Sequence, residues 1–88
     1  MSQEIEANVI KIVSEHMEVP AAEITRNTHF ANDLNADSLD IVEFGMEFED
    51  AFEISIPDED VAAVQTVGQS IDLIASHLAR QNVGTSGQ

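Results

Sequence analysis

Residues 32–52 read NDLNADSLDIVEFGMEFEDAF, and the way this stretch divides decides the fold. Asp33, Asn35 and Asp37 alternate like the opening of a calcium-binding loop. Asp37-Ser38-Leu39-Asp40 also fits the start of a helix, with Asp37 as N-cap and Asp40 favoured by the helix dipole in the first turn. A calcium loop wants Gly at its sixth place, where Ser38 stands, and a bidentate Glu at its twelfth, where Phe44 stands. Glu43 falls one residue short, and T-R-N-T-H-F (25–30) is a poor helix to precede such a loop. The stretch therefore predicts a helix from Asp37 or Ser38 to Phe52, with an acidic calcium-binding module as the alternative from a different class.

Wound at about 100° per residue, this helix carries two apolar faces. Ile41, Phe44, Phe48 and Phe52 fall within an arc of about 80°, as a core face should. Leu39, Val42 and Met46 gather within about 60° on the far side. Asp40, Glu43, Glu47 and Asp50 fill the arc between the two faces, and Glu49 lies on the other flank of the outer ridge. One buried stripe is enough to pack a helix. Isolated surface apolar residues are ordinary, and the long loop offers another cover for these three. A contiguous apolar ridge bordered by carboxylates, however, has the composition of a docking surface.

Working outward, Ile5, Val9, Ile12 and Val13 share one face of a helix over residues 3–17, which Pro20 stops. Residues 19–34 read as a long loop with Ile24, Phe30 and Leu34 as inward anchors; a loop of this length is packed down or functional. After Phe52 the pattern breaks at Pro57, and Asp58–Ala63 makes one short helical piece. Thr66 and Gln69 form a capping box that opens a last helix with Val67, Ile71, Ile74, Ala75 and Leu78 on its inner face. The expected fold is all-α: a small bundle of three main helices and one short one, with a long first loop. A single domain over 1–82 is followed by a flexible tail at 83–88.

Charge narrows the function. Three basic residues (Lys11, Arg26 and Arg80) face 17 acidic ones, for a net charge of -14, so nucleic acid and anionic membranes are repelled and basic surfaces or cations attracted. The N-terminus lacks a signal-peptide pattern and no stretch reaches membrane-spanning length, which points to a cytoplasmic protein. There is no cysteine and so no disulfide or thiolate metal site. No serine sits in a G-x-S-x-G elbow, and His16, His29 and His77 follow no ligand spacing, so neither an enzyme nor a specific metal site is expected. Ser38, in the first helical turn, faces unpaired backbone N–H groups that favour an anion, although Asp37 brings the opposite sign next door.

The run L-N-A-D-S-L-D-I-V-E-F-G-M-E-F-E-D-A-F (34–52), with I-P-D-E-D (56–60) and T-V (66–67) in order behind it, resembles the acyl carrier proteins of dissociated fatty acid synthases. Their usual pattern is L-G-x-D-S-L-D-x-V-E, and the similarity covers residues 4 to 80. The resemblance implies that Ser38 carries 4'-phosphopantetheine, installed by a phosphopantetheinyl transferase (holo-acyl-carrier synthase), and that the arm's thiol holds acyl groups as thioesters. It implies docking through Asp37, Leu39, Asp40, Val42, Glu43, Met46, Glu49 and Asp50. The partners implied are basic patches on malonyl transacylase, ketosynthase, reductases, dehydratase and acyltransferases. It also implies an acyl chain buried between the helices of a monomer, with Phe30, Ile41, Gly45, Phe48, Ile56 and Ile71 as candidate lining. A specialised polyketide or lipid-pathway carrier is the alternative within this class. Two departures from the family stand out: Asn35 replaces the usual Gly, and Gly45 with Phe44, Phe48 and Phe52 replaces aliphatic residues. Asn tolerates a left-handed backbone, so the turn survives. Gly45 is expected to open the acyl cavity where the rings narrow it.

With 17 carboxylates and 3 basic residues, self-repulsion loosens the fold at low ionic strength. The melting temperature is expected to rise with added salt; a melting point indifferent to ionic strength would count against this balance of charges.

Overall fold

The structure, a computed structural model, describes residues 2–86, with side chains from 4 to 80. Four α-helices follow in order: α1 (Ser2–Met17), α2 (Ser38–Phe52), α3 (Asp58–Ala63) and α4 (Val67–Ser86). A 3-10 turn (Ala21–Glu23) lies in the long first loop. No β-strand occurs among the described residues; the one bridge joins His29 to Thr66. The tail expected at 83–88 falls where side chains are not described, and Gly87 and Gln88 lie outside the described residues altogether.

Helix α1 stops ahead of Pro20 because Glu18 turns left-handed, with φ 58°. That conformation costs a non-glycine residue about 1–2 kcal/mol. Two bonds offset it: the Val19 N–H donates to the Ser14 carbonyl at 3.1 Å, and the Ser14 hydroxyl donates to the Val19 carbonyl. The loop that follows is packed down, as its length requires. Ile24 and Phe30 are buried and Leu34 half-buried. Its backbone is tied to the entrance of α4: Phe30 N–H to Gln65 carbonyl (3.0 Å), Val67 N–H to Thr28 carbonyl (2.9 Å) and Gly68 N–H to Arg26 carbonyl (2.9 Å). Only a glycine permits the last approach, because a Cβ at Gly68 would stand 2.9 Å from the Arg26 carbonyl oxygen.

The α4 entrance is itself fixed by the reciprocal box expected from the sequence. The Gln69 N–H donates to the Thr66 hydroxyl at 3.1 Å, and the Gln69 side-chain oxygen accepts from the Thr66 and Gln65 N–H groups at 3.3 and 2.7 Å. With α4 set, Val67, Ile71 and Ile74 meet Val9 and Val13 of α1, and these five are the most completely buried side chains. Phe44 and Phe48 of α2 close the core from the side, joined by Phe30 from the loop, with ring centroids 5.2 Å (Phe30–Phe44) and 6.2 Å (Phe44–Phe48) apart. Ile41 and Phe52 complete the inner face at half-burial.

Gly45 lines the space between α2 and α3 and also lets α3 sit close against α2. Its missing side chain is filled by Val61 of α3: a Cβ there would lie 3.0 and 3.1 Å from the two Val61 methyls. A helical Gly costs about 1 kcal/mol against Ala, and the close seating of α3 on α2 is the compensation. The same junction is tied by Glu49, whose carboxylate accepts the Ile56 N–H at 2.8 Å just before Pro57. Because both Val61 methyls face the position, a rotamer change cannot clear it and α3 itself must move. Gly45→Val is therefore expected to lower stability by about 1–3 kcal/mol, the usual cost of overpacking. Urea denaturation followed by circular dichroism checks this; stability equal to or above that of the wild type would show that α3 yields without cost.

Candidate functional site

Everything at the start of α2 follows from Asp37 and Asp40. The Asp37 carboxylate accepts the Asp40 N–H at 2.9 Å, and the Asp40 carboxylate accepts the Asp37 N–H at 3.1 Å. This reciprocal box sets the first helical residue at Ser38, which is exposed. Asn35 takes the left-handed conformation, φ 59°, that its unusual presence requires, and the Ala36 N–H turns back to the Phe30 carbonyl at 2.8 Å. The calcium-loop reading has no support here. Asp33 accepts the backbone N–H of His29 at 2.8 Å and Asp37 is engaged in the cap, so the alternating acids hold the backbone instead of converging on a point.

A groove of about 450 Å3 opens beside Ser38 and runs between α2 and α3. Ser38 stands at one end, Ile41, Gly45 and Val61 form the floor, and Val42, Met46 and Glu49 form the α2 rim. Val42 and Met46 belong equally to the outer ridge: Leu39, Val42 and Met46 are 64%, 52% and 56% exposed and, among the described residues, are the large apolar side chains left in solvent. Beneath the groove lies an interior space of only about 20 Å3, lined by Phe30, Ile41, Gly45, Phe48 and Ile56 among others. That is room for about one water and not for a hydrocarbon chain. Ile71 is buried in the core and does not line this space.

The acidic rim divides. Asp50 is exposed, Asp37 is in the cap and Glu49 holds Ile56. Asp40, Glu43 and Glu47 converge on His16 at the end of α1: Nε2 lies 3.2 Å from Asp40 and 3.2 Å from Glu43, and Nδ1 lies 2.8 Å from Glu47. The ring also rests against Phe44, centroids 4.7 Å apart. Sequence reasoning placed the acids on one stripe but missed His16 and Glu47 as a unit. The signal was present in the spacing 40, 43, 47, which points three carboxylates in one direction and asks for a cation opposite them. Partial burial pushes the His16 pKa down, but the bonds to Asp40 and Glu47 and the charges of Glu47 and Glu43 outweigh it and the net shift is upward. The Asp40 pKa is lowered, first by the bond from the Asp37 backbone and then by His16.

A family model described as a phosphopantetheine attachment site matches residues 7–74. The chain belongs to the acyl carrier protein family. Acyl carrier proteins from two strains of Porphyromonas gingivalis, ATCC 33277 and W83, are each 48% identical to it over 75 residues, 85% of this chain and 96% of theirs. The solved acyl carrier protein from Enterococcus faecalis superposes with a TM-score of 0.75 at 39% identity, covering 88% of this chain and 98% of that one. The chain is thus an acyl carrier, and its prosthetic group is phosphopantetheine. Among the described residues, no helix is long and apolar enough to cross a membrane.

Because the folded-state pKa of His16 lies above its ordinary value of 6.5, its ion pairs add stability that is fully present below that value. The contribution is lost as pH rises through the folded-state pKa. In chelator-treated buffer, His16→Gln should therefore destabilise most near pH 6 and progressively less toward pH 9. A thermal-melt series across this range checks it; a difference that stays constant or grows with pH would contradict it.

Proposed function

We propose that Ser38 is the attachment residue, that the α2–α3 groove receives the arm, and that the outer ridge of α2 is the docking face. The observation that carries this reading is a solvent-exposed hydroxyl at the first residue of a capped helix, at the mouth of a groove large enough for an extended chain. No other serine combines exposure, a helix start and an adjacent groove among the described residues.

The local chemistry fits a phosphodiester on Ser38. The first N–H groups of α2 have no intrahelical acceptor, and the helix dipole favours the diester's negative charge. Asp37 stands beside it, but its carboxylate is turned onto the Asp40 N–H, which tempers the repulsion. The transferase delivers the phosphopantetheine moiety of coenzyme A to the Ser38 oxygen, and the arm supplies the thiol that the cysteine-free chain lacks. Ile41, Val42, Gly45, Met46, Ile56 and Val61 present apolar surface along the groove that would hold it.

Docking would use Leu39, Val42 and Met46 as the desolvated centre, with Asp37, Asp40, Glu43, Glu49 and Asp50 steering basic patches. An acyl chain would enter the space bounded by Phe30, Ile41, Gly45, Phe48 and Ile56 only by moving side chains, since the space at rest is about 20 Å3. On this reading the protein is a cytoplasmic, monomeric shuttle without a catalytic role. It serves the transferase first, and then the transacylase, ketosynthase, reductases, dehydratase and acyltransferases of fatty acid synthesis.

The test is intact mass spectrometry after incubation with coenzyme A and a promiscuous phosphopantetheinyl transferase. The wild type is expected to gain the mass of one phosphopantetheine and Ser38→Ala to gain none. A gain retained in Ser38→Ala would move the attachment elsewhere, and no gain in either would end the assignment of Ser38.

A further inference from the structure

The convergence of His16, Asp40 and Glu43 brings one ring nitrogen and two carboxylate oxygens from two helices to a single point. Nδ1 of His16 lies 2.8 Å from the Glu47 carboxylate, which makes Glu47 the natural acceptor of the Nδ1 proton. Nε2 then faces two carboxylate oxygens, of Asp40 and Glu43, each 3.2 Å away, and the proton it shares with them when the ring is charged is the one a metal ion would displace. We propose that His16 Nε2, Asp40 and Glu43 form a binding site for a borderline divalent cation of the zinc class, with Glu47 as the outer carboxylate that holds the ring.

The spacing suits such an ion. Ligands at about 2.1 Å from a metal stand about 3.0–3.4 Å from one another in octahedral or tetrahedral geometry. The two measured Nε2–oxygen distances are both 3.2 Å, and the three donor atoms all lie within 4.8 Å of one another. Little movement is needed to admit the ion. The donors come from two helices, with His16 closing α1 and Asp40 and Glu43 on the first turns of α2. Their side chains are 18%, 27% and 40% exposed, so the site is recessed yet leaves room for water ligands. An imidazole backed by a carboxylate is the arrangement in which outer hydrogen bonds orient a metal-bound ring. Nitrogen in the donor set favours zinc-class ions over calcium and magnesium, which take oxygen donors. A net charge of -14 raises the local concentration of any cation.

The site departs from the expectation of no specific metal, because the sequence could not show that the end of α1 meets the acidic stripe of α2. Its consequence reaches the docking face. A bound ion would neutralise Asp40 and Glu43, two of the acids proposed to steer basic partners, and would bolt α1 to α2. The site itself does not depend on whether Ser38 is modified.

The test is calorimetric titration of zinc into the full, unmodified chain at neutral pH in a large excess of magnesium, which occupies the exposed carboxylates. One zinc per chain is expected to persist. Histidine ring resonances in NMR spectra should show His16 perturbed and His29 and His77 unmoved. His16→Gln should weaken binding by at least about tenfold, and Glu47→Gln, which alters only the outer contact, by about tenfold. Glu43→Gln, on an exposed helical face, gives a second ligand variant, and circular dichroism verifies that each variant is folded. Zinc binding abolished by magnesium, undiminished in folded His16→Gln or Glu43→Gln, or reported by His29 or His77 instead would overturn the proposal.

Discussion

The pair of bonds exchanged by Asp37 and Asp40 sets the phase of α2, and the rest of the molecule is arranged around that phase. If the helix began one residue later or earlier, every side chain on it would rotate by about 100°. Phe44 and Phe48 would leave the core, the three acids would leave His16, and Ser38 would not sit at the groove. The left-handed Asn35 and the backbone ties from the loop to Gln65, Val67 and Gly68 deliver the chain to this starting point. The cap therefore converts a loop conformation into the orientation of three surfaces at once.

Those surfaces have different physical characters. The inner one is aromatic and closely packed. The outer one is apolar and exposed, and it is the face proposed for docking. The third is acidic and is answered from within the molecule by one histidine. The chain has few cations, and Arg26, one of the three basic residues, is engaged with Asp72 at 2.9 Å. A single imidazole consequently answers much of the repulsion on the face of α2 that meets α1, which explains why three carboxylates converge there.

The elements were legible because each announces itself locally. Pro20, the Thr66–Gln69 box, Pro57 and the two periodicities of residues 37–52 fixed the helices and separated core from ridge without any long-range information. Residues 58–63 were recognisable from the break at Pro57. What escaped was contact between elements. Gly45 reads as a gap, yet Val61, sixteen positions on, fills it. Glu49 reads as a surface acid, yet it holds the Ile56 N–H. His16 reads as a lone residue on a helical face, yet it meets acids about 24 to 31 positions away. No periodicity encodes such pairs, because they depend on how the helices cross.

Val42 and Met46 have a double position, forming one rim of the groove while standing on the exposed ridge. A protein that covers the ridge therefore also touches the wall of whatever occupies the groove. On the proposed reading the outside of this carrier would not be independent of its contents, because the same two side chains border both. If the groove holds the arm and the ridge is the docking face, as proposed, a partner seated on the ridge would meet the contents of the carrier at first contact, before anything is withdrawn from it.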